Sequence, residues 1–393
     1  MSRKSVILKF ALAVLISQGA VLHARAQASS PPSVLSDPFL RDVGKTGLDH
    51  LYNLEFDQAH KAFDRIEAHY PGHPIGPFLK SLTIWWEILL DLEDQSHDDE
   101  FYKAMDDVVA RADRMLMRDE HDVDAMFFKG AALGFRGRLR SNRGHWFKAA
   151  MDGKKAMDYV LRVPELESQN PDFSFGKGLY DYFAAVVPDR YPYVKPVMVF
   201  FPEGDRERGL EQIRHTAENG YFIRTEAAYF LLQINYLYEL DYEACVRYVS
   251  WLRKHYPRNA FFHVLEGRVY ARWNRWDRSE TIFHEIVERF KQGQTGYNAA
   301  LAEQSLYFLA RREMRKRDHQ AALTYLHQLE ALSSRSQDET YYKVMGRLRQ
   351  GMAYDALGQR RTAIARYREV LKMKEHSHAH KSAEDYLKEP YGG

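Results

Sequence analysis

Apolar residues recur along this chain at helical spacing, and one local pattern returns at five places: a small residue followed four positions later by an aromatic one. The pairs are Ala59/Phe63, Ala244/Tyr248, Ser279/Phe283, Ala321/Tyr325 and Ala363/Tyr367. Because residues i and i+4 share one face of a helix, each pair predicts a helix with a small position beside a ring. The last four pairs are 35, 42 and 42 residues apart, a spacing that holds two antiparallel helices and a turn.

The preceding helix of each unit is expected to carry a glycine that lets the two helices approach closely. Gly267 and Gly351 fit, each with a tyrosine three residues later, and Pro71 and Pro257 follow the aromatic-bearing helices. These residues resemble the tetratricopeptide repeat (TPR) from about residue 225 to 373, and Gly47 begins an N-terminal copy. The alternative is a generic helical bundle with chance pairs. The resemblance implies an all-α fold, an α-solenoid of TPR-like helical hairpins with a proline-rich irregular insertion.

Between Pro71 and Thr225 the repeat pattern loosens, although apolar spacing still predicts helices. Gly130 fits a packing position, but no partner helix is expected at the normal distance after it. Six prolines between residues 164 and 202 preclude one long helix. We therefore predict a signal peptide over residues 1–26, a flexible segment over 27–42, a divergent TPR-like region over 43–163, a proline-rich connecting segment over 164–204, a C-terminal TPR array over 205–373 and a polar tail over 374–393.

The first 26 residues have the composition of an export signal: a basic start, the apolar run Phe10–Ile16 and an Ala-Arg-Ala motif ending at Ala26. The run is shorter than the roughly 20 residues of a transmembrane anchor. Cleavage would change the formal net charge from +2 to −2, which gives no general attraction to nucleic acid. Cys245 is the single cysteine, so no intrachain disulfide can form. We expect an exported, periplasmic protein without a transmembrane anchor.

The middle segment carries a second resemblance. Its sequence GKGLYDYF, a proline break and GDR-x-x-GL resemble the inclusion-body-clearance family of TPR proteins. The matching positions are Gly176, Gly178, Leu179, Pro188, Gly204, Asp205, Arg206, Gly209 and Leu210. Members of that family are helical repeat proteins without an established enzyme activity, so the resemblance implies a scaffold.

Candidate chemistry is sparse. The chain has no G-x-S-x-G, H-E-x-x-H or phosphate-binding glycine loop, which predicts no catalytic residues, no cofactor and no metal. Asp205 is interpreted as a helix cap, and the alternative gives Arg206 and Arg208 an acidic ligand. A metal site at His376, His378 and His380 lacks a partner carboxylate at the expected spacing. The basic runs 136–143 and 311–317 are interpreted as solvated faces, so no nucleic-acid partner is expected.

The groove predicted from the TPR resemblance is lined by the first helix of each hairpin. Its candidate residues are Tyr229, Gln233, Tyr236, Arg268 and Arg272, with Val264, Leu306 and Glu313 at related positions. Aromatic and arginine side chains suit a protein or peptide ligand. The leading hypothesis is therefore an exported, non-catalytic scaffold that binds such a partner. The alternatives are a small-molecule binder or enzyme with a pocket under residues 189–202, beneath Tyr191, Tyr193, Phe200 and Phe201, and self-association.

Overall fold

The computed structural model describes residues 33–192, 195 and 201–392. The predicted signal peptide, Tyr193 and Phe200 lie outside these residues. Helices are the only regular elements in the described part, which confirms the all-α prediction. In chain order they are α1 Pro38–Tyr52, α2 Phe56–His69, α3 Ile75–Leu90, α4 Asp98–Leu116, α5 Val123–Asn142, α6 Trp146–Val160, α7 Val163–Leu166, α8 Ser174–Arg190, α9 Arg206–Asn219, α10 Arg224–Ile234, α11 Tyr242–His255, α12 Ala260–Arg272, α13 Trp276–Lys291, α14 Ala299–Arg315, α15 His319–Ser333, α16 Tyr341–Ala356, α17 Arg360–Val370 and α18 Ala379–Lys388.

Two compact units divide the chain, and the division falls inside α11, between Tyr248 and Val249. The predicted boundary near residue 205 differs from this one. The first unit therefore contains the first part of the predicted C-terminal array as well as the divergent region. Among the described residues, no helix is long and apolar enough to cross a membrane.

Close helix pairing through glycine confirms the predicted hairpins. Three glycines lie against the aromatic residue of the following helix: Gly47 against Phe63, Gly267 against Phe283 and Gly351 against Tyr367. A Cβ atom added at Gly267 would lie 2.8 Å from the Phe283 ring, closer than the 3.0 Å limit of real Cβ contacts. A side chain there would push the helices apart. Each unit is thus built from TPR-like helical hairpins, as the repeat pattern predicts.

The first helices of successive hairpins also contact one another. In the first unit α1 contacts α3 and α3 contacts α5, and in the second α12 contacts α14 and α14 contacts α16. These contacts make the first helices of each unit one layer, which is the layer expected to line a groove.

Two local expectations about helix pairing were wrong. A partner helix does follow Gly130: α6 packs antiparallel on α5, with Val160 3.1 Å from the Cβ position of that glycine. In α15 the buried pair is Ala322 and Leu326, one residue beyond the predicted Ala321/Tyr325, because the helix is rotated by one position.

Both ends of the described chain are more ordered than expected. Helix α1 begins at Pro38, inside the segment predicted as flexible, with Asp37 as its N-cap. The predicted polar tail contains α18, whose Ala379 and Ala383 are fully buried in one cluster with Tyr367. The alternation of polar residues in the tail concealed these two small apolar positions.

Candidate binding sites

The predicted groove residues of the first unit lie in very different surroundings. Tyr229 is buried, and its hydroxyl accepts a hydrogen bond of 3.0 Å from Nη2 of Arg138. The Arg138 guanidinium also stacks on the rings of Trp85 and Phe230, at 4.9 and 5.1 Å. Gln233 is half-buried. The site that the sequence assigned to a partner is therefore filled, at Tyr229, by an arginine of α5.

The layer of first helices is closed at this point because α1 contacts the turn between α9 and α10. The Phe222 ring lies 3.1 Å from the Cβ position of Gly44 in α1, and the Tyr221 hydroxyl donates to the carbonyl of Arg41. The turn that carries both rings is held by Asp172, whose carboxylate accepts the backbone N–H groups of residues 221, 222 and 223 at 3.0 to 3.1 Å. Sequence spacing contained no signal for this long-range closure.

A small apolar cavity of about 50 Å³ remains inside the closed face, lined mainly by phenylalanine and leucine side chains. Its one charged lining residue is Glu226, which is fully buried. Burial raises the pKa of the Glu226 carboxyl to about 6, against a smaller opposing effect of Arg138. Tyr52 approaches this carboxyl at 3.4 Å. The cavity is too small for an organic ligand, so we read Glu226 as an internal residue.

In the second unit, the predicted residues fall on α12. Every residue of this helix is buried except Glu266, Arg268 and Arg272, which are half-buried. Arg268 and Arg272 are one turn apart, so they lie on one side of the helix. Val264, Leu306 and Glu313 are buried, and the Glu313 carboxylate accepts from Arg312 at 2.6 Å. Those three positions cannot present side chains to a partner.

An open cleft of about 420 Å³ lies in the first unit, between α9 and α11, with α10 at its floor. Its lining residues from the outer two helices include Arg214, Arg247 and Tyr248. The cleft thus opens between the second helices of two successive hairpins, on a different layer from the predicted groove. Its volume is within the range of pockets that hold small ligands or a few peptide residues.

A π-helical turn shapes the floor of this cleft. Helix α10 continues as a π-helix over Asn235–Glu239 and stops at Leu240, which has a left-handed backbone (φ 58°). Both end residues of the turn, Asn235 and Glu239, line the cleft. Tyr236, the third predicted groove residue of this unit, belongs to the same turn and is half-buried. Turns of this kind are often found at functional sites.

The charged side chains around the cleft differ in whether they have an ion-pair partner. The Glu239 carboxylate pairs with Arg206 and accepts the Tyr182 hydroxyl at 2.5 Å. Arg214 and Arg247 are exposed, and neither forms an ion pair with any described residue. Arg247 lies 5.8 Å from the ring of Tyr248. Both arginines line the cleft without a carboxylate partner among the described residues.

The glycine motif beside this cleft is structural. Asp205 caps α9, because its carboxylate accepts the N–H of Arg208 at 2.9 Å, and the helix-cap interpretation is confirmed. The Arg208 guanidinium donates to both oxygens of buried Asp181, at 2.9 and 3.0 Å. A Cβ atom at Gly209 would lie 2.5 Å from the backbone nitrogen of Tyr182. The motif closes the α8–α9 hairpin and leaves Arg206 and Arg208 in internal pairs.

The first basic run, 136–143, is not a solvated face, which corrects the sequence interpretation. Buried Asp152 accepts from Arg136 at 2.6 and 3.1 Å and also pairs with Arg140. Arg143 binds both oxygens of Asp98, at 2.6 and 2.7 Å. A buried charge requires a partner of opposite sign, and these arginines supply it.

The second run, 311–317, is divided. Arg312 is buried and pairs with Glu280 at 2.6 Å and with Asp277 at 3.1 Å. Arg311 lies over the Trp276 ring, at 5.7 Å. Arg315, Lys316 and Arg317 are exposed, so the interpretation as a solvated face is wrong only for the first part of this run.

The histidines near the C-terminus make protein contacts. Nε2 of His376 lies 2.7 Å from the Glu339 carbonyl, and Nε2 of His380 lies 2.7 Å from the Met373 carbonyl. His378 is the N-cap of α18. Across the described part of the chain, no group of three or more His, Cys, Asp or Glu side chains is placed to hold a metal ion.

Four rings were proposed to cover a pocket under residues 189–202, and the structure describes two of them, Tyr191 and Phe201. Tyr191 and Phe201 are both buried. Phe201 packs with Met157, Tyr180 and Ala184, and the Tyr180 hydroxyl donates to the Pro202 carbonyl at 2.6 Å. These contacts make Phe201 part of the hydrophobic core.

Comparisons with known proteins add little to this picture. No model of a known protein family matches the chain, and no curated protein matches it. Among solved structures, that of yeast Tom70 is similar with 11% identity over 90% of this chain and 95% of the other, at a TM-score of 0.26. That of the APC/C hetero-tetramer Cut9-Hcn1 has 13% identity over 84% and 86%, at 0.23. Similarity at this level identifies no ligand, so the fold assignment stands on the hairpin contacts.

Proposed function

We propose that this chain is an exported, non-catalytic helical-repeat protein that binds a protein or peptide partner through its layer of first helices. The observation that supports this is the side of α12 that carries Arg268 and Arg272, which are half-buried in a helix whose other residues, apart from Glu266, are buried. Arginine binds carboxylates through two parallel hydrogen bonds and is enriched among residues that dominate interface energies. The resemblance of the middle segment to inclusion-body-clearance proteins agrees with a scaffold.

The non-catalytic part of this proposal is supported by how two buried acids and a buried histidine are held. Asp181 and Asp152 are each paired with arginine, and His263 is buried beside the Tyr297 hydroxyl at 3.0 Å. Burial lowers the pKa of His263 to about 3, which keeps its ring neutral and unsuited to proton transfer near pH 7. We therefore assign these groups to helix packing.

The test is a double variant, Arg268→Ala with Arg272→Ala, in crosslinking experiments in the cells that make the protein. We expect weaker capture of the partners that wild type captures, with unchanged helical content by circular dichroism. The matched control is Arg335→Ala with Lys372→Ala, which removes two exposed charges from the same unit. Equal capture by wild type and the Arg268/Arg272 variant would show that this face is not the binding surface. Fractionation of the same cells tests export.

A further inference from the structure

We propose that the cleft between α9 and α11 binds an acidic peptide segment, with Arg214 and Arg247 holding its carboxylate. The inference rests on the proposed function only in that the occupant is a polypeptide. It uses a different unit, a different layer of helices and different arginines.

Accessibility is the first argument. Several arginines of this unit already have a partner: Arg136, Arg143 and Arg208 each contact both oxygens of a carboxylate. Arg214 and Arg247 are exposed on one cleft and have no carboxylate partner among the described residues. Two unoccupied guanidinium groups offer up to ten N–H donors and no acceptor, so they select an anion.

The net charge of the cleft selects the kind of anion. Glu239 and Asp241 also line it, and Arg206 neutralises Glu239 from the edge. Asp241 caps the N-terminus of α11, because its carboxylate accepts the N–H of Ala244 at 2.9 Å. Arg214, Arg247 and Arg206 together with Glu239 and Asp241 give the cleft about one net positive charge. A singly charged carboxylate matches this, whereas a doubly charged phosphate would be repelled by the two lining acids.

The apolar part of the lining indicates a peptide and not a bare anion. Leu210, Leu231, Ala244 and the ring of Tyr248 contribute to the walls. Such walls suit an aliphatic side chain next to the acidic one. We therefore expect a segment in which one glutamate or aspartate is flanked by leucine or a similar residue.

The experiment uses the full chain and two fluorescein-labelled synthetic peptides with amidated C-termini that differ only in one charge, Gly-Leu-Glu-Leu-Gly and Gly-Leu-Gln-Leu-Gly. Binding is followed by fluorescence anisotropy at low and high salt. We expect the glutamate peptide to bind about tenfold more tightly at low salt, as hydrogen bonds to charged groups suggest, and the preference to shrink at high salt.

Arg214→Gln with Arg247→Gln should abolish this preference. The matched control, Arg65→Gln with Arg118→Gln, removes two other exposed arginines of the same unit and should keep it. Equal binding of the two peptides to wild type, or an undiminished preference in the Arg214/Arg247 variant, would overturn the proposal. Displacement of the glutamate peptide by inorganic phosphate at lower concentration than by acetate would overturn the assignment to a carboxylate. Because α12 is not altered, these outcomes are separate from those of the Arg268/Arg272 test.

Discussion

Replacing Glu226 by glutamine should stabilise the first unit at neutral pH, and the gain should disappear in acid. This carboxyl is fully buried in an apolar cavity, and burial raises its pKa from 4.5 to about 6. In the unfolded chain it ionises near pH 4.5, so between these values the folded protein binds more protons than the unfolded one. The contribution of Glu226 to the free energy of unfolding therefore falls as the pH rises from 4.5 to about 6.

The size of the effect follows from the two pKa values. A difference of one and a half pKa units corresponds to about 2 kcal/mol. Above pH 7 the ionised Glu226 costs the fold this amount, and below pH 4 it costs nothing. Glutamine has nearly the same shape, keeps an oxygen that can accept from Tyr52 and carries no charge. We expect Glu226→Gln to raise the free energy of unfolding by about 2 kcal/mol at pH 8 and by roughly zero at pH 4.5.

Urea unfolding at both pH values measures this difference, and hydrogen exchange of the peptide that covers α10 assigns it to the first unit. Glu211→Gln is the control, because Glu211 is exposed on α9 and its change removes the same charge. The reasoning is refuted if Glu226→Gln destabilises the protein at pH 8. That result would mean that attraction between Glu226 and Arg138 outweighs the cost of burying the charge.

Three further outcomes follow from the packing. Gly209→Ala should lower the free energy of unfolding by about 1–3 kcal/mol or more in thermal melts, because its Cβ would meet the Tyr182 backbone at 2.5 Å. The control Gly134→Ala, with nothing within 4 Å of its Cβ, should leave that free energy unchanged or raise it by up to about 1 kcal/mol. Asp205→Ala should cost about 1 kcal/mol in urea unfolding by removing the α9 cap, and an unchanged midpoint would contradict the capping role. The lowered pKa of His263, about 3, means that stability is full above pH 6.5 and is lost as pH falls towards 3. His263→Gln should flatten this dependence in titrations of unfolding free energy, and an unchanged slope would contradict it.

Local contacts were predictable from the sequence because they join residues close along the chain. Gly47 meets Phe63 sixteen positions later, and Gly267 meets Phe283 at the same separation. A short turn between two helices leaves almost no freedom in which residues face each other, so spacing predicts the contact. The prediction was wrong in α15, where Ala321 and Tyr325 satisfy the pattern but the neighbouring Ala322 and Leu326 form the buried pair.

The candidate sites were less predictable because they depend on residues far apart along the chain. Tyr229 fits a groove position by its place in the repeat, yet it is covered by Arg138 from 91 residues earlier. The closure that brings them together depends on Phe222 against Gly44, a contact between the ends of the unit. Repeat periodicity describes how each hairpin packs on the next, and it contains no information on whether the layer later closes on itself.

Arginines that stand in runs and arginines that stand singly have different surroundings in this protein. In the sequence the conspicuous arginines are those in runs, such as Arg136 to Arg143, and in the structure these are bound to Asp152 and Asp98 inside the protein. Arg214 and Arg247, which line the cleft and have no carboxylate partner among the described residues, stand singly in the sequence, on separate helices. A run that supports the core must be matched by buried acids elsewhere, because an unpaired buried charge is too costly. An exposed arginine beside a cleft has no such requirement, so its lack of a partner is the better indication of a binding role.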